Sequence, residues 1–272
     1  MKLKKISFIK YFFLVFLCAV PVKAHDYWFE PDNFFPAANS PVTLHLQLGT
    51  RLVIEEERFY QPERTISFKL YSAKNSLDLF GNSLKGAIPV AKFNVGASGT
   101  YLVGMARNPV ENILDAEKFT EYLREEDLKN IIAERAKLGE TEKFGYERYS
   151  RFIKSLVQVG NVKDDTYKRL LNFKLEIQPL ENPYSTKTGK LLPLKVLFDG
   201  KPLANHAVFS YNRAASKVYV QEYKTDANGV FRVKLDRKGF WLVRLVKMDR
   251  CSQNCEETDW ESYWGSLSFE TR

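Results

Sequence analysis

Few side chains of this chain have the type and spacing to do chemistry, and His25 comes first among them. The preceding residues read as an export leader. Lys2, Lys4, Lys5 and Lys10 form a basic start, Tyr11 to Val20 an apolar run, and Val22 and Ala24 supply the small residues of a signal-peptidase site. Cleavage after Ala24 makes His25 the new N-terminus, with a free α-amine and an imidazole on one residue. That pair chelates transition metals such as nickel, cobalt or copper. Asp26 can add a carboxylate or its backbone nitrogen, and His45 a second imidazole, so the expected metal ligands are His25, Asp26 and His45. Protons compete for the same nitrogens, so affinity should fall as the solution is acidified. A His-first terminus with one further histidine is also the donor set of a copper-binding histidine brace, which attaches an oxidative reading to the same residues. His206, at the entrance to a later strand, reads as structural. Cys251 and Cys255 bracket a short polar segment and read as a local disulfide in an oxidising compartment.

Other chemistries have no foothold. There is no nucleophile elbow, phosphate loop, zinc-protease helix or dinucleotide fingerprint. The expectation is a binding protein and not an enzyme, with no catalytic residues. The net charge of +8 suggests nucleic acid only until the leader is set aside. Its five lysines (2, 4, 5, 10 and 23) are unopposed by any acid, so the mature chain carries +3, and no nucleic-acid partner is expected. The apolar run is too short to span a bilayer and nothing like it recurs, so no transmembrane segment is expected in the mature chain and its place is the periplasm. Phe16-Leu17 before Cys18 makes a poor lipobox.

The elements that must position these residues are mostly strands. Over 25–111, Val42, Leu44, Leu46 and Leu48 alternate with Thr43, His45 and Gln47, and 66–71, 91–95 and 99–104 repeat the pattern, which predicts an antiparallel β-sandwich. From Leu114 the apolar period changes to that of a helix through Phe119, Tyr122, Leu123, Leu128, Ile131 and Ile132, with Gly139 as its stop. Tyr149, Phe152, Ile153, Leu156 and Val157 continue helical spacing to Gly160, with Arg148, Arg151 and Lys154 pointing outward, so 112–172 is expected to be a helical hairpin segment. Residues 173–272 return to short strands and glycine turns, at Asp199-Gly200 and Thr225-Asp-Ala-Asn-Gly229, predicting a second, immunoglobulin-like or transthyretin-like sandwich. The fold class is mainly β: two antiparallel β-sandwich domains with a helical hairpin between them.

Several of these segments resemble the DUF4198 family. They are His25-Asp-Tyr-Trp-Phe-Glu-Pro31, Glu117 to Glu126, Gly145 to Val157, Asp199-Gly-Lys-Pro-Leu203, Thr225 to Gly229 and Trp260 to Glu270, spread over essentially the whole mature chain. The resemblance implies a periplasmic protein of nickel or cobalt uptake, similar to the extracytoplasmic component of nickel transporters. A metal-transport membrane complex is then the implied partner. In those relatives the N-terminal amine, its histidine and a further histidine hold the metal, which carries over to His25 and His45. Family members often have a histidine after the glycine where this chain has Gly49-Thr50. The first expectation is therefore a periplasmic metal-binding protein for uptake or buffering. Its alternative is a non-catalytic envelope module that binds a glycan, peptide or membrane partner through its aromatics, without metal.

Overall fold

The computed structural model describes residues 25–272, so the leader and its expected cleavage site lie outside the described residues. The first half contributes β1 (Asp26–Pro31), β2 (Pro41–Thr50), β3 (Val53–Glu57), β4 (Thr65–Tyr71), β5 (Ser76–Asp78), β6 (Ala91–Asn94) and the long β7 (Gly99–Leu114). Helices α1 (Ala116–Glu125) and α2 (Lys129–Lys137) follow, then β8 (Gly145–Val159), β9 (Leu175–Pro179) and β10 (Leu191–Phe198). The chain closes with β11 (Lys201–Pro202), β12 (Ala207–Ala214), β13 (Lys217–Lys224), β14 (Val230–Lys234), β15 (Gly239–Arg250) and β16 (Trp260–Thr271).

These strands make three sheets. One eight-stranded sheet runs β13-β12-β15-β16-β8-β7-β4-β5 and draws on both halves of the chain. Its halves join where β16 pairs with β8, the one parallel contact in an otherwise antiparallel sheet. A four-stranded sheet of β1, β2, β3 and β6 packs on one face, and another of β9, β10, β11 and β14 on the other. Alternation along β7 and β8 divides the core accordingly. Val103, Met105, Ile153 and Val157 join Phe29, Leu44 and Leu46, whereas Leu102, Ala106, Phe152 and Leu156 join Leu175, Leu194 and Phe231. The mainly-β class holds.

The helical expectation holds only in part. Residues 116–137 are helical but split, because Asp127 takes a positive φ of 54° between α1 and α2. Asp115 caps α1 by accepting from the Lys118 amide at 2.9 Å, and Gly139 leaves α2 at φ 68°, the stop read from the sequence. The second helix, expected over 149–160, is instead the strand β8. Its side chains from Ser150 to Val159 are all buried, because both faces of β8 are covered by other sheets. A strand buried on both faces has no polar side to alternate with, so period 2 disappears from its sequence. The outward positions expected for Arg151 and Lys154 are therefore also wrong. Lys154 is buried and paired with Glu176 at 2.9 Å.

The helices pack Phe119, Tyr122, Leu123 and Ile131 against Val246, Met248 and Trp260 at one end of the large sheet. This brings α1 beside β8 and β16, where Gly145 lies so close that an added Cβ would sit 2.2 Å from the Phe119 ring. Cys251 and Cys255 form the expected local disulfide in the β15–β16 loop. Among the described residues no helix is long and apolar enough to cross a membrane.

Candidate functional site around His25

His25 stands at the start of β1, whose register on β2 sets Asp26 opposite Gly49, Tyr27 opposite Leu48 and Glu30 opposite His45. At the far end of that pair, β2 turns into β3 through Arg51 and Leu52, both at positive φ (50° and 62°), the conformation a tight hairpin turn requires. Buried Leu52 anchors this turn in an apolar cluster with Trp28, Phe209 and Phe240. The ladder then slips: Gly49 pairs with Ile54 but Leu48 pairs with Glu56, so Glu55 is the extra residue of a β-bulge. Only glycine fits at position 49, since a Cβ there would lie 1.9 Å from the Val53 carbonyl oxygen.

The bulge aims Glu55 at His25. Its Oε2 is 2.7 Å from His25 Nε2, and its Oε1 accepts from Thr50 Oγ1 at 2.9 Å. Facing a carboxylate, His25 Nε2 is the nitrogen that carries hydrogen, which leaves Nδ1 with the lone pair in the neutral ring. A carboxylate on the far nitrogen is how metal-binding histidines are commonly oriented.

Asp26 and His45 point elsewhere. The Asp26 carboxylate is buried on the opposite face of β1, with Oδ1 2.8 Å from Arg244 Nε. Arg244 in turn forks onto Glu126 at the end of α1, its Nη2 donating to Oε1 at 2.8 Å and its Nη1 to Oε2. Burial pushes the Asp26 carboxyl up to about 6, against the pull of Arg244. His45 lies five register steps along the β1–β2 pair, about 17 Å at strand rise, and on the other face from His25. Its Nδ1 is 2.7 Å from Glu57 Oε1, a separate histidine–carboxylate pair. His206 is structural: its Nε2 donates to the Val246 carbonyl at 2.7 Å, and burial lowers its basicity. Among the described residues no group of three or more His, Cys, Asp or Glu side chains converges as a metal cluster. The expected trio is thus not brought together.

What the fold does gather beside His25 is a pocket of about 300 Å³. His25 just before β1, Tyr27 of β1, Glu111 of β7, Tyr149 and Arg151 of β8, Trp264 of β16 and Tyr122 of α1 line it. The parallel register sets Trp264 beside Arg151 and Ser262 beside Tyr149. The Arg151 guanidinium lies over the rings of Tyr27 (4.1 Å), Trp264 (4.7 Å) and Tyr149 (5.1 Å), and its Nη1 donates to the His25 carbonyl at 3.0 Å. Tyr122 stacks on Trp264 with ring centroids 5.8 Å apart. Glu147, buried at the pocket's inner end, accepts from the Tyr122 hydroxyl at 2.9 Å, from Asn112 Nδ2 at 3.3 Å and from the Ser262 hydroxyl. Burial raises its carboxyl above the ordinary range, with these donors opposing the shift. Glu55, Glu147, Arg151 and Trp264 were not read as site residues from the sequence. The Glu55-Glu56-Glu57 run following a glycine that ends a strand was the available trace of the first.

A comparison with curated proteins finds no match. Among solved structures, the chain is similar to three N-terminal domains of the bacteriophage RB49 Highly Immunogenic Outer Capsid protein (Hoc), at 10% identity and a TM-score of 0.18. That similarity covers 90% of this chain and 59% of the phage chain, and it is too slight to bear on fold or function. The family model described as a domain of unknown function, DUF4198, matches residues 22–249, and the chain belongs to that family.

Proposed function

We propose that the mature chain is a periplasmic transition-metal-binding protein, taking nickel, cobalt or copper for uptake or buffering through His25. The observation that carries this reading is the engagement of His25 Nε2 by Glu55 at 2.7 Å, on a ring whose side chain is still 40% exposed. A chelate using the α-amine and imidazole of one residue closes a six-membered ring only through Nδ1. Glu55 occupies the other nitrogen, fixes the ring's rotation and makes Nδ1 the better donor. The strand pairing of β1 holds the residue in place, which lowers the entropy lost on binding. Asp26 and His45 have structural parts in this reading, as anchors of β1 and β2. In this reading the layers on either side of the eight-stranded sheet are two immunoglobulin-like sandwiches that share it, and a metal-transport membrane complex is the proposed partner.

The test is a paired metal titration of protein purified after export, one form beginning at His25 and the other carrying one extra glycine before it. Nickel, cobalt or copper binding that the glycine weakens by about a hundredfold or more supports the chelate. Equal binding by both forms overturns it. The aromatic walls of the pocket favour the second reading, an envelope binding module without metal, in which ligand binding would survive His25→Ala.

A further inference from the structure

The pocket beside His25 contains a charge that has no ion-pair partner among the described residues. Arg151 is nine-tenths buried, and its Nε has no hydrogen-bond partner. Two other buried cations of the large sheet have carboxylates: Arg244 has Asp26 and Glu126, and Lys154 has Glu176. Arg151 has the His25 carbonyl and three aromatic rings. Asp26 pairs with Arg244 and Glu147 accepts from three neutral donors, so Arg151 acts on these two carboxylates only through space; Glu111 lines the pocket as well, without an ion pair to Arg151.

A second guanidinium compounds the imbalance. Arg107 of β7 is directly opposite Arg151 in the β7–β8 register and lies 5.6 Å from the same Tyr27 ring. It is buried as well. Among the described residues its side chain donates to Gln61, and its Nη1 has no hydrogen-bond partner. Like charges directly across a strand pair destabilise it, and a buried guanidinium without an anion is costly. A negative ligand in the pocket that Arg151 lines would relieve both. Planar fork geometry favours a carboxylate, taken by paired N–H donors. The metal chemistry asks for the same partner, because His25 supplies two nitrogens and transition metals take four or more donors.

We propose that the pocket binds a small chelating carboxylate on Arg151, and that this ligand completes the coordination of a metal held by His25, so that the cargo is a metal–carboxylate chelate. The carboxylate site stands on Arg151, with Arg107 adding positive charge from across the strand pair, and the cargo assignment rests on the reading of His25 given above.

The experiment uses citrate as the probe and the protein beginning at His25, followed by titration calorimetry near neutral pH. Metal-free protein should bind citrate at one site, and Arg151→Lys and Arg151→Met should each weaken that binding by about tenfold or more. Preformed nickel–citrate should bind at least about tenfold tighter than citrate alone, a gain abolished by the extra N-terminal glycine. Arg151→Lys keeps the charge and the stacking stem, so one variant stays folded if the methionine does not. Absence of citrate binding by the wild type, with or without nickel, overturns the inference. So does citrate binding that a folded Arg151 variant leaves unchanged. Nickel bound by His25 with no tightening by citrate overturns the inference and leaves the metal reading standing. Failure to bind nickel in either form removes the metal reading and the chelate cargo with it.

Discussion

Replacing Asp26 by asparagine tests the buried junction beside His25 and separates it from the proposed metal binding. The Asp26 carboxyl is raised from 3.8 to about 6, chiefly because burial penalises its charged form. Below pH 3.8 the group is protonated in both folded and unfolded chains, and its titration costs nothing. Between 3.8 and 6 the unfolded chain loses the proton while the folded chain keeps it, so rising pH favours unfolding. That gap between the folded and unfolded carboxyl amounts to roughly 3 kcal/mol lost by pH 7. Asparagine cannot titrate, so the gap between wild type and Asp26→Asn should move by that amount, in the variant's favour, from pH 3.5 to pH 7. Arg244 keeps its fork on Glu126 in the variant. Denaturant unfolding at a series of pH values measures the gap, and thermal melts should show it as a relative shift on the order of 6–12 °C. Parallel stability curves for the two proteins would refute the burial argument. Because the Asp26 side chain faces Arg244 and not the exposed side of His25, metal affinity should not change. A large loss of nickel binding in Asp26→Asn would show that the carboxylate reaches the metal.

The remaining predictions follow from the same geometry. Glu55→Gln replaces the carboxylate that orients His25 Nε2 and should lower metal affinity by about 10–100-fold with little change in melting temperature. His45→Ala should leave the affinity unchanged, since its imidazole is five register steps away on the other face of the β1–β2 pair; a titration matching wild type checks this. Lys154→Ala strands the buried Glu176 carboxylate and should cost about 3–5 kcal/mol in urea unfolding. Adding Glu176→Gln to Lys154→Met should recover much of that loss, because glutamine keeps an acceptor for the Leu171 amide without a buried charge.

Local pattern alone determined a good deal of this protein. The alternation of Val42, Leu44 and Leu46 marked a half-buried strand, and all three lie in the core beside Phe29. The glycine turns at 199–200 and 225–229 separate strands as expected, and Gly139 stops a helix, because turn and cap conformations are properties of a few adjacent residues. Only the tertiary structure decided the rest. Whether Tyr149 to Val157 made a helix or a strand depended on what covered it, and sheets on both faces of β8 erased the alternation that would have announced it. His45 was a reasonable partner for His25 on composition, yet strand register set them on opposite faces. Glu55 reached His25 through a bulge opposite Gly49, and Arg151 came to Trp264 through a parallel pairing between segments more than a hundred residues apart. Such meetings follow from long-range register and layer packing, which no short window of sequence contains.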